Sequence, residues 1–427
     1  MGLTQVSTDG VKNDAITKTK IPANQIEASE LADNAVDTNA IADNAVSSAK
    51  IPTNAVTQAK IADDAVGADQ LASNAVVTAS IADNAITQTK INVPISNRNL
   101  IINGAMQVAQ RGTSSTSAGF NTVDRFKTQK SSTDEIPSQA QSDVAAGTTP
   151  YTLGFRKSYK VTNGNQTSGA GSGDLIKIQT IIEAQDIANS GWNYLSTSSY
   201  ITLSYWVKSS VAQNFYVNLT TNDGTAQNYV TETGSLTADT WTKVTKTISG
   251  NSNLQFDNDV NEGLRIEINM FRGTDTTGTR PLNAWAALDS ATRLPDMTST
   301  WYTTNDATFE ITGVQLEVGS VATEFEHRSF GQELALCQRY CFIYSFSEHN
   351  SGGNIEINFI PADMRALPTV TRLGNVMFGG ESSTSVTAIY NNAGYTVPNQ
   401  AGSNLILRCI NSSDANCGGA YNLSAEV

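Results

Sequence analysis

The segment YITLSYWVKSS (Tyr200–Ser210) decides the fold. Ile201, Leu203, Tyr205 and Val207 alternate with Thr202, Ser204, Trp206 and Lys208, the period of two shown by a strand that buries one face. The alternation recurs in Phe215, Val217 and Leu219 and in Leu264, Ile266, Ile268 and Met270. Turns rich in Gly, Ser, Thr and Asn separate these strands with no βαβ rhythm, so an all-β sandwich or jelly roll is expected. In FEITGVQLEV (Phe309–Val318) the apolar phase switches at Gly313, from Phe309 and Ile311 to Val314, Leu316 and Val318. Such a switch marks a β-bulge. The stretches Ser131–Pro150, Gly273–Ala307 and the Gly-rich Asn163–Asp174 are expected to be loops.

The chain has 427 residues, enough for two or three domains. Its net charge of -13 argues against nucleic acid as a partner, because phosphates are gathered by Lys and Arg. Only 16% of residues are charged, a balance that favours strands and turns over long surface helices. No run of about 20 apolar residues is present, so no membrane insertion is expected, and the start carries no secretion-signal pattern. Cys337, Cys341, Cys409 and Cys417 lack CxxC spacing. Buried reduced thiols are the plain reading, with disulfides or a metal as the alternatives.

From Val11 to Lys90 the sequence repeats every ten residues, as in IADNAVSSAK (Ile41–Lys50) and IPTNAVTQAK (Ile51–Lys60). Apolar residues hold the first and sixth places of each decad, a period of five. Five residues advance a helix by about 500°, which spirals the apolar positions around every side, and an odd step on a flat strand alternates faces. The chain must therefore bend within each pentad, and the Asn or Asp two places before the sixth position supplies a turn residue. One β-branched or Leu side chain per pentad is too thin a core for one chain. An interwound trimeric β shaft is expected, since copies sharing an axis pool these side chains; a single-chain β-solenoid and a disordered linker are the rival readings.

The decads resemble repeats near the N-termini of tail-fibre proteins from tailed phages. NLIINGAMQVAQRGT (Asn99–Thr113), VDRF (Val123–Phe126), YITLSYWVKSS and FEITGVQLEVGSVATEFEHRSF (Phe309–Phe330) resemble a phage tail-fibre jelly-roll module similar to carbohydrate-binding modules. ELALCQRYC (Glu333–Cys341), FIPADMRALPTVT (Phe359–Thr371) and the ending LSAEV resemble the terminal domain that often follows it. The resemblance implies a virion anchor over 1–10, a shaft over 11–95, a jelly roll over 96–330 and a small C-terminal β-sandwich over 331–427, with a linker helix in Glu333–Phe342. It implies a homotrimeric tail fibre, assembled in the host cytoplasm and located on the virion. The N-terminus would dock on a tail adaptor or nozzle protein, and a sandwich would bind a host cell-surface polysaccharide. Either the jelly roll or the terminal domain could touch the receptor.

Sugar binding needs an aromatic face and planar polar groups beside it. Trp206 and Tyr216 on the polar faces of successive strands, with Arg265, Glu267 and Asn269 on a third, are candidates, provided those strands are neighbours. The alternative is that the two aromatics fill space beneath other structure. Trp285 and Trp301 in the long loop are further candidates, or pins for their own loop. Asp257, Asp259 and Glu262 in FDNDVNEG (Phe256–Gly263) offer oxygen ligands for a structural Ca²⁺, although without EF-hand spacing, and a solvated turn is the alternative. No GxSxG, HExxH or GxxxxGK[ST] occurs, and His327 and His349 are the two histidines. A binding protein rather than an enzyme is expected. A tailspike-like depolymerase and a capsid-attached head fibre are the alternatives.

Overall fold

The computed structural model describes residues 97–350, short stretches and single positions among residues 17–71, and, beyond residue 350, position 364, several strands and residues 425–426. The chain divides into two compact units, Met1–Asn92 and Val93–Val427. Most of the expected shaft lies outside the described residues. Where decads are described, three-residue 3-10 turns occupy Lys18–Lys20, Ser48–Lys50 and Gln58–Lys60, and Asn54 adopts a left-handed φ of 67°. Ile21, Ile51, Val56 and Ile61 are all exposed.

The second unit contains two six-stranded antiparallel sheets. The first runs β1 (Ser114–Ser115), β3 (Ser138–Asp143), β4 (Lys157–Thr162), β12 (Thr308–Val318), β6 (Tyr200–Ser209), β9 (Thr242–Ser249). The second runs β11 (Trp285–Ala287), β8 (Gln227–Ser235), β7 (Asn214–Thr221), β10 (Glu262–Arg272), β5 (Leu175–Glu183), β2 (Lys127–Ser131). The alternating apolar positions meet between the sheets: Ile201, Leu203, Tyr205, Val207, Val217, Leu219, Ile266, Ile268, Phe309 and Leu316 belong to one buried cluster. Each fully buried side chain of this size stabilises the fold by roughly 1.5–3 kcal/mol.

The bulge at Gly313 is present as a register shift of β12 against β6 between Thr312 and Gln315. Gly313 has φ 62°, and both apolar sets it separates, Phe309 and Ile311 before it and Val314 and Leu316 after it, are buried. The expected loop Ser131–Pro150 instead holds β3 and the first residues of α1 (Thr149–Thr152). Its alternation is hidden because a glutamine takes a buried place. The Gln139 amide accepts from the Tyr159 hydroxyl at 2.7 Å and donates to the Gly119 carbonyl at 3.1 Å, so no polar group is stranded. The Gly273–Ala307 stretch likewise carries β11 and α3 (Thr300–Thr303). α2 (Ala184–Ala188) follows β5, and α4 (Phe330–Gln338) is closed by a Ser329–Gln332 capping box.

Beyond α4, β13 (Cys341–Asn350) pairs with β20 (Ala415–Ser424), which also adjoins β15 (Thr369–Arg372) and β16 (Val376–Phe378), and β16 pairs with β17 (Glu381–Ser383). A second small sheet orders β14 (Ile355–Phe359), β19 (Leu405–Cys409), β18 (Ala388–Asn391). Residues of NLIINGAMQVAQRGT, VDRF, ELALCQRYC and LSAEV gather where this region meets the sandwich. Arg125 of VDRF donates to the Ile181 carbonyl at 2.6 Å, stacks 3.4 Å from the Tyr340 ring centroid and pairs with Glu426. Arg111 pairs with Glu426 at 3.0 Å and Asp124 at 3.4 Å. Glu183 accepts from Arg339 at 2.9 Å and from the Tyr340 hydroxyl at 2.5 Å. Asn103 bonds the Val108 and Asp124 carbonyls, both at 2.8 Å, and its backbone N–H meets Glu333. These motifs hold the two parts together.

Candidate functional site

The candidate site is the outer, polar face of the second sheet. On β10 the core takes Leu264, Ile266, Ile268 and Met270, so Arg265, Glu267 and Asn269 point the other way. Strand register extends this face sideways. Arg265 lies between Thr220 and Ile181, Glu267 between Asn218 and Gln179, and Asn269 between Tyr216 and Lys177. Lys127 and Gln129 of β2 continue the rows beside Gln179 and Lys177. Beyond β7, β8 adds Asn228, Val230 and Glu232 opposite Thr220, Asn218 and Tyr216.

Glu267 organises the centre. Its carboxylate accepts from Lys177 and, at 2.9 Å, from Asn218 Nδ2, with Arg272 Nη2 at 3.9 Å and Arg265 Nη1 at 4.0 Å. Burial alone would raise its pKa; the Lys177 charge and the hydrogen bonds from Lys177 and Asn218 outweigh that and hold the carboxyl at about 2. Burial draws the Lys177 ammonium down to about 8, against the opposing pull of Glu267. Asn218 also accepts from Asn269 Nδ2 at 2.9 Å, and Asn228 donates to the Arg293 carbonyl at 2.8 Å, which ties the loop after β11 to this face. A register shift between Asn269 and Phe271 lets Arg272 rejoin the polar side, where its Nε donates to Asn269 at 3.4 Å.

The rim differs from the centre. Glu267, Asn269, Asn218 and Gln179 are buried, whereas Tyr216, Arg265, Lys127, Gln129 and Glu232 keep partial exposure. Burial and the neighbouring Glu232 raise the Tyr216 hydroxyl. Three buried polar atoms on this face have no hydrogen-bond partner among the described residues: Gln179 Oε1, Arg265 Nε and Arg272 Nη2. Such atoms are costly unless a ligand or water reaches them.

The structure thus brings together Tyr216, Arg265, Glu267 and Asn269, and separates them from the tryptophans. Trp206 is on the first sheet, packed with Tyr151, Trp241 and Phe325 around Phe155. The link 210–213 carries the chain from one sheet to the other, so β6 and β7 are consecutive without being neighbours. Trp285 packs on Tyr229 at 5.3 Å between ring centroids and donates to the Ser249 carbonyl at 2.8 Å, on the core side of its strand. Trp301 is 0% exposed and donates to the Thr308 carbonyl at 3.1 Å, which makes it a pin for its loop and closes it to ligand.

Asp257, Asp259 and Glu262 do not converge. Asp259 accepts from Asn261, Glu262 pairs with Arg265 at 2.6 Å, and Asp257 accepts from Gln255. Among the described residues no three such side chains form a group able to hold a metal ion. Lys177, Gln179, Asn218 and Arg272 had no place in the sequence reading. LIKIQTIIE (Leu175–Glu183) does interleave Lys177 and Gln179 with Ile176 and Ile178, a signal that could have found them. A groove of about 1220 Å³ elsewhere, between α2, α4 and the end of β12, shares none of these residues.

Comparisons with known proteins return structural neighbours, while no protein-family profile and no curated protein sequence matches. One neighbour is the enzymatically active domain of bacteriophage CBA120 tailspike protein 4, at 12% identity and TM-score 0.28, covering 52% of this chain and 21% of that one. Another is the N-terminal cellulose-binding domain of Cellulomonas fimi β-1,4-glucanase C, at 11% identity and TM-score 0.24, covering 51% of this chain and 99% of that one. A third is the family 11 carbohydrate-binding module of Clostridium thermocellum in complex with a mixed-linked tetrasaccharide, at 10% identity and TM-score 0.23, covering 49% and 98%.

Proposed function

We propose that this chain is a non-enzymatic, receptor-binding tail-fibre subunit of a bacteriophage that attaches the virion to a host cell-surface glycan. The observation that carries the reading is the outer face of the second sheet, where the part-exposed Tyr216, Arg265, Lys127, Gln129 and Glu232 form a rim around a fixed, buried polar array. A hydroxyl-rich ligand needs such preset donors and acceptors beside an aromatic ring. The partition into anchor 1–10, shaft 11–95, sandwich 96–330 and terminal domain 331–427 belongs to this proposal, as do virion location and an adaptor bound by the N-terminus.

The homotrimer is supported by the decads. Val46, Val56 and Val66 are 57%, 56% and 51% exposed in the single chain, surface that copies sharing an axis would cover. Three weak sugar sites on one fibre then gain avidity through effective concentration. The test combines a glycan array, light scattering and incubation with host polysaccharide. Binding with intact polysaccharide and a trimeric mass is the expected result. Released oligosaccharides would overturn the binding-only role, and absence of any glycan binding would overturn the reading as a whole.

A further inference from the structure

We infer that the ligand of this face is an acidic glycan, whose anionic hexose, carboxylated or sulfated, is held by Lys127 and Arg265. The inference rests on the glycan-binding reading above and names the class of sugar. Its basis is an imbalance of charge. Lys177 is matched by Glu267 and Arg265 by Glu262. Arg272 approaches a carboxylate only as the outer partner of Glu267, at 3.9 Å. Lys127 has no ion-pair partner among the described residues; its ammonium instead lies 4.7 Å from the Phe120 ring centroid. In a chain of net charge -13 this face therefore holds four cations, Lys127, Lys177, Arg265 and Arg272, against three carboxylates, Glu232, Glu262 and Glu267.

The geometry suits one sugar residue. Gln179 of β5 stands directly between Lys127 of β2 and Glu267 of β10, with Arg265 one step along β10 on the same face. The two rim cations are thus two strand spacings and one same-face step apart, about 12 Å between their backbones. Between them lies Gln179, which is 2% exposed and whose Oε1 has no hydrogen-bond partner among the described residues. An anion between the rim cations would have both charges aimed at it, over the buried Gln179. Burial, and next the Arg265 charge, lower the Lys127 pKa, the condition that a bound anion relieves. Glu262, bonded to Arg265, and Glu426, bonded to Arg111 and Arg125, are the carboxylates that bear on Lys127, and both are already engaged.

The experiment immobilises uronate-bearing, sulfated and neutral oligosaccharides and measures binding of the full chain, before and after carboxyl reduction or desulfation of each bound glycan. Acidic glycans are expected to bind, and removal of their acid groups to abolish binding; the uronate and sulfate arms tell the two anions apart. Lys127→Gln should weaken binding roughly tenfold, the worth of one charge-assisted contact, and Lys127→Arg should retain most of it. Binding should also fall with added salt, because both cations are on the rim. Lys127 is only part-exposed, so an unchanged melting temperature is needed to separate lost contact from lost fold. Binding that survives removal of the acid groups would overturn this inference and leave glycan recognition standing. Undiminished acidic binding by Lys127→Gln would overturn the assigned subsite, and binding to no glycan would overturn both readings.

Discussion

A Cβ atom placed on Gly313 would lie 2.6 Å from Phe155 Cζ. Gly313 also holds φ at +62°, a left-handed value that any other side chain resists. Phe155 cannot retreat easily, since its ring meets Phe325 edge-on at 4.9 Å and His327 at 5.1 Å. Gly313→Ala is expected to cost about 2–4 kcal/mol, the sum of backbone strain and overpacking. Urea unfolding measures it. Phe155→Leu in the same chain should recover part of the loss by opening space; no recovery would show that backbone strain alone sets the cost.

Glu267 is isosteric with glutamine, so Glu267→Gln keeps the shape of the site and removes its charge. Lys177 and the outer Arg272 then lose their shared counter-charge in a buried setting. A loss of about 3 kcal/mol is expected, the usual effect of breaking one side of a buried pair. Adding Lys177→Met should restore most of it, because both members are then gone. A double-mutant cycle by urea unfolding reads the coupling.

Acid stability should carry the same signature. The Glu267 carboxyl sits at about 2 in the fold against its ordinary value of 4.5, so the folded chain binds fewer protons in that interval. Its contribution is full above pH 4.5 and is lost as pH falls towards 2, by at most about 3 kcal/mol. Asp124 acts with opposite sign. Burial raises it from 3.8 to about 6, so stability from this group declines as pH rises through that window. Unfolding midpoints across the acid range should show Glu267→Gln flattening the lower limb and Asp124→Asn flattening the upper one.

What was legible in the sequence was local. Alternation fixed the faces of β6, β7 and β10 because side chains repeat every two residues whatever the partner strand. The phase switch at Gly313 announced its bulge for the same reason. Strand adjacency was not legible, because it depends on residues far apart in sequence: β10 pairs with β5 and β7, and β6 with β9 and β12. Hence Arg265, Glu267 and Asn269 were correctly grouped by one strand, while Trp206 was joined to Tyr216 by a connection that in fact changes sheets. Gln139 shows a second limit: an inward polar residue whose bonds are all supplied by distant partners looks like loop from sequence.

Arg125 is expected to govern the coupling of the sandwich to the region after α4. Its guanidinium is 2% exposed and joins Ile181, Tyr340 and Glu426. Arg125→Met keeps the stem and removes the charge, which leaves Glu426 only Arg111 for a partner. A loss of about 3 kcal/mol at the junction is expected. Calorimetry should then resolve two transitions in place of one, and limited proteolysis should cut between α4 and β13. A single transition merely shifted downward would mean that the two parts fold as one unit without this contact.

The decads offer the most direct test of assembly. In the single chain Ile51 and Val56 are 44% and 56% exposed, in consecutive pentads of one repeat. If copies shelter these side chains, each substitution by Asp places a charge at the shared axis, once per chain and so three times per trimer. Burying an unpaired carboxylate costs several kcal/mol, a penalty that association multiplies. The full chain carrying Ile51→Asp and Val56→Asp should therefore shift towards monomer in light scattering at fixed concentration, while the sandwich keeps its melting transition. Lys60→Ala is the matched control, because that side chain is exposed and bonds the Ala55 carbonyl of its own decad, at 2.7 Å. An unchanged trimer in the double Asp variant would place the shared contacts outside the repeat, and a wild-type monomer would remove the need for them altogether.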